Sequence, residues 1–411
     1  MTLAILLVPG AYARVPDALF ELDISELANL PVVTASRHEQ ALWQAPAVMV
    51  VLEGEALRRR GYQSLAEALA WVPGFHVIDD GVGQYAVVRG VGGGQRAYGR
   101  TLKVMLDGQP LGIRSDATQF LGPELLPLGL VERVEIVRGP ASALYGADAY
   151  LGVINIITRR DAATRVQLGA GREHKGGSAA AEVLATAAPA DGEWQATVAA
   201  LQARHDRSGR QLPDSSPQPP ATTAFSQNDE SRPLSFYARV SREQAAQRHS
   251  LVLHASERDT DAEFLDFGRL SHDNRVALAQ QTLSWESAFG EPGQSGSTLW
   301  RLAYAWGGPS EDERLSQGVP GSHPARDFGY RSWELAVEQQ YRLERQHLVV
   351  GVDGSWDHEA PFEVFSVNNV TGDRIQLTPA EEERLFRNVG VYLQSQWQPW
   401  QERDWTLSLN W

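Results

Sequence analysis

Residue patterns that would support catalysis are incomplete in this 411-residue chain. A dinucleotide-binding turn needs G-x-G-x-x-G so that the backbone can approach a pyrophosphate, but Gln95 takes the last glycine position of the stretch beginning at Gly90. A zinc-protease helix needs a second histidine four residues after His38, and Leu42 stands there. No G-x-S-x-G nucleophile elbow occurs. We therefore expect a protein that is not an enzyme and that carries no cofactor.

An acidic cluster is the strongest candidate for a metal site. Asp259, Asp261, Glu263 and Asp266 lie close together in the sequence, and hard cations such as calcium favour several carboxylate oxygens. The spacing is not that of an EF-hand, so we interpret the cluster as an acidic surface loop and expect no metal. The chain has no cysteine, which excludes thiolate metal sites, and its net charge of -14 argues against a nucleic-acid partner.

Residues 31–160 have the pattern of a small α/β unit. Apolar runs predict strands at 47–52, 75–78, 85–89, 102–106 and 134–137, separated by glycine-rich loops. A helical turn is expected at 55–60. Ser64 and Glu67 form a capping box that predicts a second helix, ending before Pro73.

After Arg160 the period changes to two, which is typical of strands with one apolar face. Residues 234–240, 300–306, 333–337, 389–393 and 405–411 alternate in this way. About 11 such segments can be placed, each near the ~10 residues that a tilted membrane strand requires.

The links between these segments separate a membrane barrel from a soluble β-sandwich, which would also alternate. Short links are expected near 189–192, 244–247, 291–296, 344–346 and 399–403, and long polar links near 206–233, 259–274, 307–327 and 353–385. Short turns on one rim and long loops on the other are typical of a bacterial outer-membrane barrel. Tryptophans near strand ends fit interfacial girdles: Trp194, Trp300, Trp306, Trp333, Trp356, Trp397 and Trp405.

The first residues have the pattern of an export signal. An apolar run at 3–8 is followed by Ala11-Tyr12-Ala13, an A-x-A cleavage pattern. We expect residues 1–13 to be a signal peptide and 14–30 an N-terminal extension. No lysine or arginine precedes the run, which leaves room for a start upstream of Met1.

Five motifs in order give residues 31–160 a specific resemblance. They are Val88-Arg89-Gly90, the hydrophobic-Asp-Gly turn at 104–108, V-E-R-V-E-I-V-R-G-P at 131–140, Ala143-Leu144-Tyr145-Gly146 and G-V-I-N-I-I-T at 152–158. Together they resemble the plug domain of TonB-dependent outer-membrane receptors. Leu151 departs from the pattern, since many members have a glycine there.

The resemblance implies roles for particular residues. A TonB-box-like segment, which would pair with the periplasmic protein TonB by strand addition, comprises Val32, Val33, Thr34 and Ala35. Arg89, Arg133 and Arg138 would lock the plug to barrel carboxylates. The apical loop would offer Gln95, Arg96, Tyr98 and Arg100 to an anionic ligand, although these side chains could equally be solvated.

The resemblance also implies a fold, a function and partners. The fold is a small α/β plug (31–160) followed by an antiparallel transmembrane β-barrel of the 22-stranded type (161–411), of which only about 11 strands are present, so we expect a longer parent chain. The function is TonB-dependent import of a ferric siderophore, haem or cobalamin across the bacterial outer membrane. The partners are TonB, outer-membrane lipid and a metal-chelate ligand. The alternative is a passive, adhesin-like surface-binding barrel.

Overall fold

The computed structural model describes residues 29–410 with gaps at 80, 93–100, 113–119, 162–163, 174–175, 190–191, 213–224, 267–268, 291–295, 311–312, 315–320, 379–381 and 398–406. Two parts follow one another along the chain. The first is a mixed α/β unit, and the second is a long ladder of antiparallel strands.

The α/β unit contains a five-stranded sheet with the order β3-β8-β9-β6-β7, a β4–β5 hairpin and short helices. Its helices are α1 (Gly54–Arg59), α2 (Leu65–Leu69) and α3 (Ser142–Tyr145). Its strands, preceded by the small pair β1 (Pro31–Val32) and β2 (Gln40–Ala41), are β3 (Met49–Glu53), β4 (Phe75–Asp79), β5 (Gln84–Val88), β6 (Leu102–Leu106), β7 (Gln109–Leu111), β8 (Val131–Arg138) and β9 (Gly152–Thr158).

Local chemistry explains the ends of these elements. Ser64 caps α2 by accepting from the Glu67 backbone N–H, while the Glu67 carboxylate accepts from the Gln63 backbone N–H at 2.8 Å. In a standard capping box the glutamate accepts from the backbone N–H of the N-cap residue; here it accepts from the residue before the N-cap. Gly61 has φ +74° just after α1, where the left-handed conformation favours glycine.

The second part is a sheet of twelve strands within the described residues. It comprises β10 (Thr164–Glu173), β11 (Gly176–Ala187), β12 (Trp194–Asp206), β13 (Glu230–Ser231), β14 (Leu234–Gln244), β15 (Gln247–Asp266), β16 (Arg269–Phe289), β17 (Ser297–Pro309), β19 (Tyr330–Leu343), β20 (Gln346–Glu359), β23 (Arg384–Trp397) and β24 (Leu407–Asn410). Because β13 and β14 share the place between β12 and β15, they fill one position, and the ladder has eleven positions.

The two faces of this sheet have opposite polarity. On β14, Leu234 and Val240 are 42% and 46% exposed on the outer face, whereas Ser235, Tyr237 and Arg239 are at most 4% exposed against the α/β unit. Apolar groups thus face outward and polar groups inward, which is the arrangement of a transmembrane barrel wall. Five of the seven tryptophans proposed for the girdles are exposed, Trp306 is half-buried, and Trp405 lies outside the described residues.

The links define two rims. Tight turns join β14 to β15 and β19 to β20, and with the other short links they form the short-turn rim. The opposite, long-loop rim carries a separate three-stranded sheet of β18 (Ser322–Asp327), β21 (Glu363–Asn368) and β22 (Arg374–Gln376). None of the helices in the described residues is long and apolar enough to cross a membrane.

One predicted long link is wrong. Residues 259–266 continue β15, and residues 269–274 already belong to β16. Two of the acidic side chains lie in the ladder with their charges paired: Asp259 accepts bidentate hydrogen bonds from Arg232 and from Arg275, and Asp261 pairs with Arg232 at 2.8 Å. Within the described part of the chain, no group of three His, Asp or Glu side chains is arranged to hold a metal ion.

Candidate functional site

The TonB-box-like residues lie inside the structure. We use "box segment" for residues 32–38, which comprise the last residue of β1 and most of the loop that leads to its partner strand β2. Val32, Thr34 and Ser36 have no exposed surface, and Ala35 is 6% exposed. The segment lies between the α/β unit and the inner face of the sheet, close to the short-turn rim.

Glu135 on β8 holds the box segment from the side of the α/β unit. One carboxylate oxygen, Oε2, accepts from the backbone N–H groups of Val33 (2.9 Å) and Thr34 (2.8 Å) and from the Thr34 hydroxyl (2.6 Å). The other, Oε1, accepts from Arg133 Nε at 2.8 Å. The fully buried carboxylate therefore accepts four hydrogen bonds. Because the acceptor is charged, each of them is stronger than a hydrogen bond between neutral groups.

Two further side chains complete this grip. The Tyr145 hydroxyl donates to the Thr34 carbonyl at 2.7 Å, and burial raises the pKa of Tyr145, which keeps its hydroxyl a donor. Asn155 Nδ2 donates to the Thr34 hydroxyl oxygen at 3.1 Å, while its Oδ1 accepts from the Gly108 backbone N–H at 2.9 Å. Asn155 thus joins the box segment to the β6–β7 turn.

The sheet holds the other side of the box segment through Arg37. Its guanidinium donates to the Tyr392 hydroxyl at 2.7 Å, pairs with Glu338 at 3.4 Å, and lies over the rings of Tyr145 and Tyr392. Burial by itself lowers the pKa of Arg37, but the contacts with Tyr392, Tyr145 and Glu338 have the larger effect and raise that pKa above its usual value. Gln340 Nε2 also donates to the Arg37 carbonyl at 2.9 Å.

His38 ends the box segment against His347 on β20, with ring centroids 3.6 Å apart. Burial, reinforced by His347, lowers the pKa of His38 to about 4. His38 is therefore neutral at pH 7, and protonating it would place a charge in a buried contact.

The contacts of the box segment are mainly polar. A short chain segment is held by hydrogen bonds and one ion pair rather than by a continuous apolar core. Hydrogen bonds and ion pairs of this kind can be exchanged for bonds to water at a small net cost in free energy.

Comparisons with known proteins identify the α/β unit. The model of the TonB-dependent receptor plug domain matches residues 41–153. The iron-regulated outer-membrane virulence protein of Vibrio cholerae is 38% identical over 147 residues, 34% of this chain and 22% of that protein. The vitamin B12 transporter of Vibrio vulnificus is 30% identical over 179 residues, 42% of this chain and 27% of that protein. The hemin receptor of Yersinia pestis is 38% identical over 141 residues, 34% of this chain and 19% of that protein.

Solved structures extend the similarity to the sheet. The ferripyoverdine receptor of Pseudomonas aeruginosa matches with a TM-score of 0.67 at 16% identity, over 93% of this chain and 53% of that one. The ferric yersiniabactin uptake receptor of Yersinia pestis matches with a TM-score of 0.61 at 14% identity, over 89% and 64%. Residues 41–153 therefore belong to the plug-domain family of TonB-dependent receptors, and the chain as a whole has the fold of a plug followed by part of a receptor barrel. It spans about half to two thirds of the length of these receptor chains, and its α/β unit is the plug.

The receptor's plug and barrel wall meet through polar contacts, as the sequence analysis expects, but mostly at other residues. Arg258 on β15 pairs with plug Glu124 at 2.7 Å, with side chains 3% and 6% exposed. Arg301 on β17 donates to the carbonyls of Gly108 (2.9 Å) and Asp107 (3.1 Å). The wall therefore holds the plug through arginines of the barrel, several of which bind plug backbone.

The three plug arginines proposed as locks are placed differently. Arg133 pairs with Glu132 and Glu135, both in the plug. Arg89 is exposed, and neither it nor Arg138 makes an ion pair with any residue that the structure describes; both approach Gly74 within the plug. For Arg133 the structure thus shows a different partner, which positions Glu135 under the box segment. The locking roles of Arg89 and Arg138 stay predictions.

Other predicted features lie outside the described residues. These are the apical loop residues Gln95, Arg96, Tyr98 and Arg100, the signal peptide at 1–13, and the N-terminal extension up to residue 28. Sequence reasoning missed Glu135, Asn155 and Arg37. Glu135 and Asn155 stand within motifs of the resemblance. The signal that could have found them is that each is a polar residue on a buried strand.

Proposed function

We propose that the receptor of which these residues are part imports a scarce metal chelate, a ferric siderophore, haem or cobalamin, across the outer membrane with energy from TonB. In this proposal residues 31–160 form the plug, residues 161–411 belong to the barrel, and residues 32–35 are the TonB box. Ligand binding at the long-loop rim precedes release of the box toward the periplasm. TonB then pairs with the released strand and pulls on the plug.

The observation that carries this proposal is the seat of the box segment. A strand-forming segment held at the short-turn rim by Glu135, Asn155 and Arg37 is a handle that can be released without unfolding the apolar plug core. The named relatives, an iron-regulated protein, a vitamin B12 transporter and a hemin receptor, support a metal-chelate substrate.

The test separates energised import from passive binding. A deletion strain is complemented with the receptor and grown on a panel of iron sources and vitamin B12, which identifies the substrate. Cells carrying a deletion of residues 32–35 should still bind that substrate but should stop accumulating it. Glu39→Gln changes an exposed residue just beyond the box and serves as the matched control, with normal uptake. Undiminished accumulation by the deletion variant would favour a passive surface-binding barrel.

A further inference from the structure

Aromatic and cationic side chains meet on the outer face of the sheet near the long-loop rim. The strands β17, β19, β20 and β23 pair in this order, and residues directly opposite one another point to the same face. Trp333 and Trp356 are 51% and 46% exposed on that outer face, whereas the adjacent Ser332 is buried. We use "outer patch" for six residues in two rows: Tyr304, Trp333, Trp356 and Arg387 form one row, and Arg331 and His358 belong to the next row toward the long loops.

The depth of the outer patch in the membrane follows from the length of β23. Ten residues lead from Arg387 to Trp397 at the end of the strand. At ~3.3 Å per residue and a strand tilt of ~40°, they cover about 25 Å along the membrane normal, which is the height of the apolar band of a transmembrane barrel. Val389 and Val391 point outward within this span and are 75% and 70% exposed. Arg387 therefore lies where the hydrocarbon of the outer leaflet ends and its headgroups begin.

The guanidinium groups of the outer patch have no partner in the described part of the chain. Arg331 and Arg387 are exposed, and neither forms an ion pair or a hydrogen bond with a residue that the structure describes. The outward positions of β17, β19, β20 and β23 hold no Asp or Glu. Glu382 and Glu383 precede β23, and the latter pairs with His358 at 2.9 Å. Both carboxylates lie about 13 Å or more from Arg387 along the extended chain, on the side away from the hydrocarbon.

Guanidinium groups at this depth favour an anion that the membrane supplies. Arginine matches phosphate because its planar fork donates two parallel hydrogen bonds. A phosphate monoester carries a charge of about −1.5 to −2 and three acceptor oxygens, which suits two guanidinium groups better than the single charge of a phosphodiester. Strands spaced ~4.8 Å apart and a step of ~3.3 Å per residue put the Cα atoms of Arg331 and Arg387 about 12 Å apart, so both long side chains can reach one headgroup.

The aromatic rings of the outer patch add a second element of recognition. Tyr304 packs against Trp333 with ring centroids 4.7 Å apart, and Trp333 is paired with Trp356 across β19 and β20. Their exposed faces form a flat apolar surface beside the two arginines, at the level where tryptophan rings sit half in lipid and half in water. A sugar ring that carries a phosphate would meet both kinds of side chain.

We propose that the outer patch binds a phosphorylated glycolipid of the outer leaflet. Arg331 and Arg387 bind its phosphate monoester, and Trp333 and Trp356 pack against the sugar that carries the phosphate. The outward positions of the same four strands near the short-turn rim hold no cation, so the site belongs to the outer leaflet alone. The inference depends on the barrel wall and not on import.

The test compares a glycolipid with and without its phosphates. Receptor purified from outer membranes in detergent is titrated with deep-rough lipopolysaccharide, a glycolipid whose sugars carry phosphate monoesters, and with the same preparation after removal of its phosphates. Native mass spectrometry gives the apparent dissociation constant of each. The variant is Arg331→Gln with Arg387→Gln. Arg345→Gln, exposed in the β19–β20 turn on the opposite rim, loses the same kind of charge and is the matched control.

We expect the phosphorylated glycolipid to bind the double variant at least about 30-fold more weakly than the parent, because each guanidinium contributes about ten-fold and neighbouring contacts do not add fully. The dephosphorylated glycolipid should bind the parent as weakly as the intact one binds the double variant. Arg345→Gln should stay within about two-fold of the parent. Arg331→Gln and Arg387→Gln alone, each about ten-fold weaker, carry the test if the double variant fails to insert.

Equal affinity for the two glycolipids, parental binding by the double variant, or an equal loss in Arg345→Gln would overturn the proposal. Phosphatidylglycerol in the same detergent is the competitor that tests the headgroup class. If it displaces the glycolipid at equal concentration, a phosphodiester without a sugar satisfies the patch and the assignment to a phosphorylated sugar is wrong. None of these measurements involves TonB or transport, so their failure would leave the proposed function to be judged by its own experiment.

Discussion

Replacing Glu135 by glutamine should release the box segment. In Glu135→Gln, the amide can present an oxygen either to the donors of Val33 and Thr34 or to Arg133, but not to both. Each hydrogen bond to a charged acceptor contributes about 1.5–3 kcal/mol. Because the three box donors share one oxygen and their energies do not add, we expect the docked state to lose roughly 2–4 kcal/mol. That corresponds to a rise of about 30-fold to several hundred-fold in the undocked population.

The assay uses Ala35→Cys, whose side chain is 6% exposed in the docked state and reacts only after undocking. Maleimide labelling of this thiol in outer membranes should be at least about 30-fold faster in the Glu135→Gln background. Glu132→Gln is the matched control, because Glu132 also pairs with Arg133 on β8 but does not touch the box segment. Its labelling rate should stay within about two-fold of the parent.

The reasoning would be refuted by an unchanged rate in Glu135→Gln, or by an equal acceleration in Glu132→Gln. The second result would mean that any loss of charge on β8 loosens the plug. Normal heat-modifiable mobility of the barrel shows that each variant is folded and inserted.

Three further outcomes are expected. Asn155→Leu removes two neutral hydrogen bonds and should accelerate Ala35→Cys labelling by about ten-fold, less than Glu135→Gln; a larger effect would place the main latch at Asn155. Arg258→Ala leaves Glu124 as a buried unpaired charge, so it should lower the stability of the plug in urea by roughly 3–5 kcal/mol. The double variant Arg258→Met with Glu124→Leu leaves no unpaired charge and should lose much less stability. The pKa of His38 is about 4 in the docked state and about 6.5 when the segment is free, so the undocked segment binds more protons. Docking should therefore weaken by roughly 3 kcal/mol as the pH falls from 6.5 to 4. His38→Gln should remove this pH dependence from the rate of Ala35→Cys labelling, measured relative to an exposed thiol.

Local rules predicted much of the plug. The apolar run 102–106 coincides with β6, and Ser64 caps α2 as its spacing with Glu67 indicates. These elements are set by residues near one another in sequence, through burial of one face and satisfaction of helix-end N–H groups. The alternation at 234–240 also predicted that β14 is a strand with one apolar face, and its apolar Leu234 and Val240 are exposed while Ser235 and Arg239 are buried.

Contacts between distant residues were beyond such rules. Thr34 meets Glu135 across 101 positions, and Arg37 meets Tyr392 across 355. Nothing in the local pattern of the box segment indicates that it folds back against the plug. The extension of β15 past Asp259 likewise depends on Arg232 and Arg275, which neutralise the Asp259 carboxylate. In the sequence alone, that acidic residue indicates a loop.

In the proposed mechanism, the box segment must leave its seat for import. Ala35→Cys with Gln394→Cys places one thiol on the box segment and one on β23, whose Gln394 Nε2 donates to the Ala35 carbonyl at 3.5 Å, in a sequence with no cysteine of its own; closure of the disulfide is verified by the loss of both free thiols. Uptake of the chelate identified by the growth panel is measured with this pair oxidised and then reduced. We predict that the oxidised receptor binds the chelate but does not accumulate it, and that reduction restores import. Import at the parental rate with the disulfide closed would contradict the account.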